Sequence, residues 1–491
     1  MFVSTDIFPS LVISLSTKGE MSIEEVDRIL QLQEAPSKAA AYIVLIATIY
    51  LWAVGYGFLA YMIGTAWGDL SSTLGGLAGT LVSHLPIIAA IAVGVFIIML
   101  IASLIYLKLI EALAREFLIA FYILLGIFLL GVGGLFLYAG QQVLGAIFVF
   151  LGILELILFF IFKRRIELTG RLIEVAGKAV YEEKGAISAV VIKSILVGLT
   201  FIAFIMTELA TIVWMGNLFG NYEYAGLIMA IWVLINAILG MWSMVFIDTF
   251  FTAVVVRITH DWYRSPHVDV ASFSKGLKMA WEVAGPLAKY ALVMSLLYAL
   301  VHAARRQAAR GRAGLSLRIV AWILGVSAEV LRYLGFYVIP AIVIRKAGFI
   351  SAFRDSISKL RDLFIETIAG AYAFGKVLGM IAFITALLMG GVGYIIGVAI
   401  FIPLLAIPLE YTMTIGIVAG LAFALLALIP LGFVTSAVSA AWKTILYEYG
   451  LDIEFALRGT ILPSRLPEDV KSMFNEMLAQ KGVQIPAPAV G

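Results

Sequence analysis

The sequence predicts an all-α fold, a polytopic transmembrane helical bundle of about ten spans with amphipathic interfacial helices. Three observations carry that expectation. Hydrophobic residues fill 63% of the 491 positions and charged residues only 13%, against roughly 45–50% and about 25% in a soluble globular chain. Mean hydropathy is +1.06, an excess that no soluble core of this length can hide. Lys and Arg, finally, fall in alternate connections between the apolar runs.

A hydrocarbon layer about 30 Å thick needs about 20 helical residues to cross it. The runs that meet this length are 39–65, 86–110, 117–138, 142–162, 187–214, 225–256, 284–303, 318–344, 375–404 and 412–441. Backbone groups in lipid must be satisfied within the segment, so these runs read as helices. Residues Tyr138 to Gln142 join the third and fourth runs as a tight helical hairpin.

The connections at 66–85, 139–141, 215–224 and 405–411 contain neither Lys nor Arg. The alternate ones hold Lys108 and Arg115, then Lys163 to Lys184, then Arg257, Arg264, Lys275 and Lys278, then Arg345 to Arg361. Cations are retained on the cytoplasmic side during insertion, so the expected location is the cell membrane with both termini cytoplasmic. Arg305, Arg306, Arg310 and Arg312 break the pattern between 284–303 and 318–344. That loop is either external despite its charge, or the tip of a shallow pair that does not fully cross. The division expected is an interfacial or cytosolic segment 1–38, a four-span region 39–186, a six-span domain 187–445 and a cytosolic tail 446–491.

Ser22 and Glu25 read as a capping box opening a short amphipathic helix on Ile23, Val26, Ile29 and Leu30. Its expected place is the cytosol or the membrane surface. Two further basic amphipathic stretches, 270–281 and 350–361, each lead into an apolar run at an offset of 80 residues. Phe273, Leu277, Ala280 and Trp281 share one helical face of the first, with Lys275 and Lys278 opposite. Phe353, Ile357 and Leu360 share one face of the second, with Arg354, Lys359 and Arg361 opposite. Such helices suit the headgroup interface, with the lipid bilayer and its anionic headgroups as partners. Ile166–Lys184 is a weaker third copy, and the pattern reads either as a duplicated helix-plus-span unit or as basic helices that flank spans by topology alone.

Residues about 240–450 resemble an uncharacterised family of prokaryotic polytopic membrane proteins, a domain of unknown function. The resemblance rests on Gly276-Leu-Lys-Met-Ala-Trp281, on Phe336-Tyr-Val-Ile-Pro-Ala-Ile-Val-Ile344 and on Ala352-Phe-Arg-Asp-Ser356. The arrangement is also remotely similar to the membrane domain of choline-transporter-like proteins, with the first 180 residues outside it. No substrate residue carries over from either.

Ionisable residues inside spans are expensive and so are functional candidates. Glu155, Glu208 and Asp248 lack sequence-local partners; they read as cation- or proton-handling groups, as protonated acids in interhelical hydrogen bonds, or as positions closer to water than the run boundaries imply. Glu329 and Arg332, at i, i+3, read as a structural ion pair. Lys193 and Lys289 sit where they can snorkel. Gly131, Gly133, Gly134, Gly390, Gly391, Gly393 and Gly397 read as close helix packing; Pro340, Pro403, Pro408 and Pro430 read as kinks.

Cysteine is absent, which excludes disulfides and thiolate chemistry. His260-Asp261 and His267-x-Asp269 fall in a cytoplasmic loop without metal-ligand spacing. There is no phosphate loop, dinucleotide fingerprint or Gly-x-Ser-x-Gly elbow. The expectation is therefore no cofactor, no metal, no enzyme activity and no direct nucleic-acid binding. The residues point first to a transporter or channel-like protein for a small cationic or amphiphilic solute. The alternative is a non-transporting scaffold, or a subunit of a secretion, macromolecule-translocation or envelope assembly. That alternative rests on the basic helices and on a tail helix bearing Val470, Met473, Phe474 and Met477.

Overall fold

The computed structural model describes residues 23–31, 37–74, 76–219, 224–265, 272–309, 325, 330, 333–401, 412–458, 460 and 462–480. Helices account for nearly all of them, and the described residues include no strand. In chain order the helices are α1 Ile23–Leu30, α2 Ala39–Leu74, α3 Gly76–Tyr138, α4 Gln142–Glu182, α5 Lys184–Phe219 and α6 Ala225–Arg264. There follow α7 Phe273–Glu282, α8 Ala284–Ala309, α9 Val338–Arg345, α10 Phe349–Asp362, α11 Phe364–Ile396, α12 Thr412–Ala456 and α13 Glu468–Gln480. A π-helical turn, Gly397–Phe401, extends α11.

Among the described residues, 8 helices are long and apolar enough to cross a membrane. They stay apolar outside as well as inside. Phe128, Phe150, Leu387 and Leu421 are each at least 60% exposed, as residues facing lipid tails are and those on a soluble surface rarely are. The chain is thus a multi-pass membrane protein in contact with the bilayer.

The expected runs 86–110 and 117–138 lie on one uninterrupted 63-residue helix, α3. The basic stretch between them, Ile110-Glu-Ala-Leu-Ala-Arg-Glu-Phe-Leu, is built of strong helix formers without Gly or Pro, so charge does not break the helix. Much of the first half of 318–344 falls outside the described residues; its end forms the short, almost wholly buried α9. Arg305 and Arg306, expected in the loop, lie on the last turns of α8; Arg310 and Arg312 lie outside the described residues, as do Pro403 and Pro408.

The hairpin of α3 and α4 turns on Gly140, whose φ of +80° only glycine adopts without strain. α11 and α12 pair closely because Gly393 and Gly397 bring α12 in. A β-carbon at Gly393 would stand 2.7 Å from the carbonyl oxygen of Ala419, and one at Gly397 2.7 Å from the Ala419 methyl. By contrast, Gly131 and Gly134 face open space. Gly393→Leu is therefore expected to destabilise the protein by about 1–3 kcal/mol through overpacking, and Gly131→Leu by much less. Denaturation of the two variants in detergent measures the difference.

Pro430 lies inside α12, where it removes one backbone donor. Side chains from α3 reach this stretch: Tyr106 donates to the Ala427 carbonyl at 3.4 Å and Ser103 to the Pro430 carbonyl at 3.5 Å. These bonds tie α3 to α12 beside the proline.

The two amphipathic stretches form α7 and α10, and each leads at once into a long helix. α7 ends on Val283 (φ −104°, ψ 14°) and α10 on Leu363 (φ −110°, ψ 26°). Both hinge residues are buried and lie 80 positions apart. Ser272 caps α7 by accepting the Lys275 amide, which fixes where this helix begins.

Candidate functional site

Two polar clusters stand out, one midway along the helices and one at the ends of α6 and α12. The first follows the seam between α2, α5 and α6. Tyr50 donates to Asn236 Oδ1 at 3.2 Å, and the Asn236 amide donates to Thr211 at 2.9 Å. Thr207 donates to the Leu51 carbonyl across the α2–α5 contact at 3.1 Å. Trp52 donates to Thr200 at 3.1 Å, and Phe58 meets Trp214 edge to face at 5.6 Å.

Glu208 sits in this seam. Both of its carboxylate oxygens are buried and have no hydrogen-bond partner among the described residues, and its charge reaches Tyr50. An ionised carboxylate left so in the membrane costs several kcal/mol. A proton or a cation on the group would remove that cost.

Asp248, by contrast, has a partner. Lys193 of α5 lies 2.9 Å from Asp248 Oδ1 and donates to Ser436 of α12 at 2.6 Å. Lys193 was expected to snorkel, but its side chain is only 10% exposed. It turns inward because an acid and a hydroxyl wait there on neighbouring helices. Lys289 is exposed, as snorkelling requires. Glu155 is half-buried, with Oε1 unpartnered among the described residues and away from the Glu208 seam. Glu329 and Arg332 lie outside the described residues.

The second cluster was not anticipated. Residues 257–264 were expected in a loop, yet α6 runs through them. At i, i+3, i+4 and i+7, Arg257, His260, Asp261 and Arg264 form one charged stripe. Helix α12 continues likewise, bringing Glu448 and Asp452 at i, i+4. Arg264 donates to Glu448 Oε2 and to Asp452 Oδ1, each at 2.5 Å. Tyr263 donates to Asp452 Oδ2 at 2.6 Å. His260 faces Glu448 through Nδ1 and Asp27 Oδ1 through Nε2, the latter at 3.0 Å. Arg257 grips Asp27 with both terminal nitrogens, at 3.1 and 2.7 Å, and also meets Asp261 at 2.7 Å. The side chains of His260, Arg264 and Glu448 are fully buried.

Asp27 comes from α1. That helix was placed in the cytosol or on the membrane surface, but it docks into the bundle with Val26 and Leu30 fully buried. Burial alone raises the Asp27 carboxyl, but hydrogen bonds from His260 and Arg257 outweigh it and hold the group well below the usual carboxylate range.

The other flank of α12 repeats the theme. Arg345, the last residue of α9, pairs with Asp355 at 2.8 Å and with Glu454 at 3.6 Å. Tyr447 donates to Asp355 as well. Lys359, expected on the headgroup face of α10, is buried. It donates instead to Glu454 at 2.6 Å and to the Gly450 carbonyl at 2.9 Å, because α12 offers an acid close to its path. Lys275 of α7 reaches Asp261 at 3.2 Å. Lys278 and Arg354 remain exposed, while Phe273, Trp281 and Phe353 are partly buried against the core. Arg361 is exposed near the end of α10.

Helix α13 rests on its own chain. Val470 is 1% exposed, and Arg171 and Arg164 of α4 pair with Asp469 and Glu476. No three His, Cys, Asp or Glu among the described residues are grouped to hold a metal ion.

These features define a multi-pass integral membrane protein whose long helices are tied at one end by buried ion pairs and carry between them an acid with no partner among the described residues. A family model described as plasma-membrane choline transporter matches residues 146–454, well over half of the chain. The chain belongs to that transporter family. The match starts upstream of the segment in which the sequence showed its resemblance, so 146–180 fall inside it. No curated protein matches the chain.

Proposed function

We propose that this protein carries a small organic cation across the cell membrane, with a choline-like quaternary ammonium as the solute class and Glu208 as the acid that holds it. The observation behind this is the Glu208 carboxylate, whose oxygens are buried in an aromatic and hydroxyl-lined seam without a donor among the described residues. A cation there supplies the missing counter-charge, and rings such as Tyr50 attract a quaternary ammonium through their faces. Membership of a choline-transporter family agrees with this chemistry. Both termini are taken as cytoplasmic on the distribution of Lys and Arg. The region 187–445 is taken as the transporting domain, with a duplicated helix-plus-span unit inside it. Exposed Lys278 and Arg354 are taken to meet anionic headgroups. The scaffold reading has less to support it, since Val470 of the tail helix is already buried on its own chain.

A ligand that binds the folded state raises its melting midpoint. Choline is expected to stabilise the detergent-solubilised wild type in a concentration-dependent way and to leave Glu208→Gln unmoved. Equal shifts in both proteins, or none in either, would remove Glu208 as the cation site.

A further inference from the structure

We propose that α1 is a pH-sensitive latch across the ends of α6 and α12, closed while His260 carries its proton and released when that proton is lost.

The geometry around His260 carries the argument. Each ring nitrogen faces a carboxylate, Glu448 at Nδ1 and Asp27 at Nε2. A neutral imidazole has a single N–H and an imidazolium has two, so only the charged ring can donate to both acids. Charge balance agrees. The connected cations are the buried Arg257, His260 and Arg264 and the part-exposed Lys275, and the anions are Asp27, Asp261, Glu448 and Asp452. With His260 neutral, four acids would face three bases around a ring that is itself fully buried.

Every neighbouring element is accounted for. Helix α1 presents Asp27 to His260, and α12 presents Glu448, which Arg264 shares. On α6 itself Arg257 and Asp261 flank the ring and pair with each other. Lys275 of α7 is turned to Asp261. Glu182 of α4 is engaged by Trp262 and Arg465. Arg345 of α9 is engaged by Asp355 and Glu454.

Loss of the proton removes one N–H, and Asp27 is the partner that can leave. Glu448 belongs to a 45-residue helix and stays bonded to Arg264. Asp27 rides on an 8-residue helix, too short to be stable alone. Its remaining hold is Arg257, which Asp261 also claims. The latch therefore opens as pH rises. On the acid side it survives until Asp27 itself takes a proton, well below the usual carboxylate range.

Hydrogen–deuterium exchange of residues 23–31, in the full-length protein in lipid nanodiscs, tests this once corrected for intrinsic exchange. Wild-type protection is expected to fall by about ten-fold or more between about pH 6 and about pH 9. In His260→Gln, which cannot be protonated, protection should be low and independent of pH. Wild-type protection that does not change with pH, or a wild-type pH dependence retained in His260→Gln, would overturn the proposal. Asp27→Asn leaves the α6–α12 contacts intact and decides the matter if His260→Gln does not fold. Low protection at every pH supports the latch, and wild-type behaviour overturns it.

Discussion

Glu448→Ala is expected to be the most damaging single substitution in this protein, lowering its stability by about 3–5 kcal/mol. The carboxylate is fully buried and binds Arg264 through one oxygen and His260 through the other. Removing it leaves two buried cations facing each other across the gap. Arg264 retains Asp452 and the Pro463 carbonyl, whereas His260 keeps only Asp27. The attraction within a buried pair is largely offset by the cost of taking both charges out of water, so its net contribution is modest. The loss on breaking it is large because the surviving charge stays desolvated. Unfolding in detergent, followed by tryptophan fluorescence, measures the effect. A loss below about 1 kcal/mol, the size of a surface pair, would mean that water reaches these helix ends.

Glu208→Gln is expected to behave in the opposite manner, keeping the fold and losing transport. Neither carboxylate oxygen accepts a hydrogen bond in the described structure, so the amide breaks no contact. Stability should hold or rise slightly, because a neutral side chain is easier to keep in lipid than a charged one. Cation flux should fall by about ten-fold or more, since the substitution removes the counter-charge that Glu208 offers in the seam. Glu208→Asp should recover part of it. Flux from the glutamine variant equal to that of wild type would remove the acid from the mechanism.

The membrane fold was legible because hydropathy reports it directly. α5 begins and ends within a few residues of its expected run, and the turn of the α3–α4 hairpin falls between Tyr138 and Gln142 as read. α1 was legible too, from a capping box and four apolar positions, though its docking was not. Composition says that one face is apolar but does not say what covers it.

The ion-pair cluster escaped for a related reason. Hydropathy falls after Val256, and a fall looks the same whether the helix stops or continues past the bilayer. The signal was present in the spacing of Arg257, His260, Asp261 and Arg264, which places all four on one face of a continuing helix. The partners Glu448 and Asp452 lie far along the chain and follow only from the fold. Glu208 was identified for its lack of a local partner, and it has none among the described residues. Asp248 was identified on the same ground, but Lys193 on the neighbouring helix supplies the partner.

The most direct test is uptake of radiolabelled choline into proteoliposomes containing the purified protein. Excess unlabelled choline should compete, and 3,3-dimethylbutanol, which has the same shape without the charge, should not. That result is predicted by an acid-centred cation site in the α2–α5–α6 seam. Uptake no greater than in empty vesicles, or competition by the neutral isostere as strong as by choline, would contradict it.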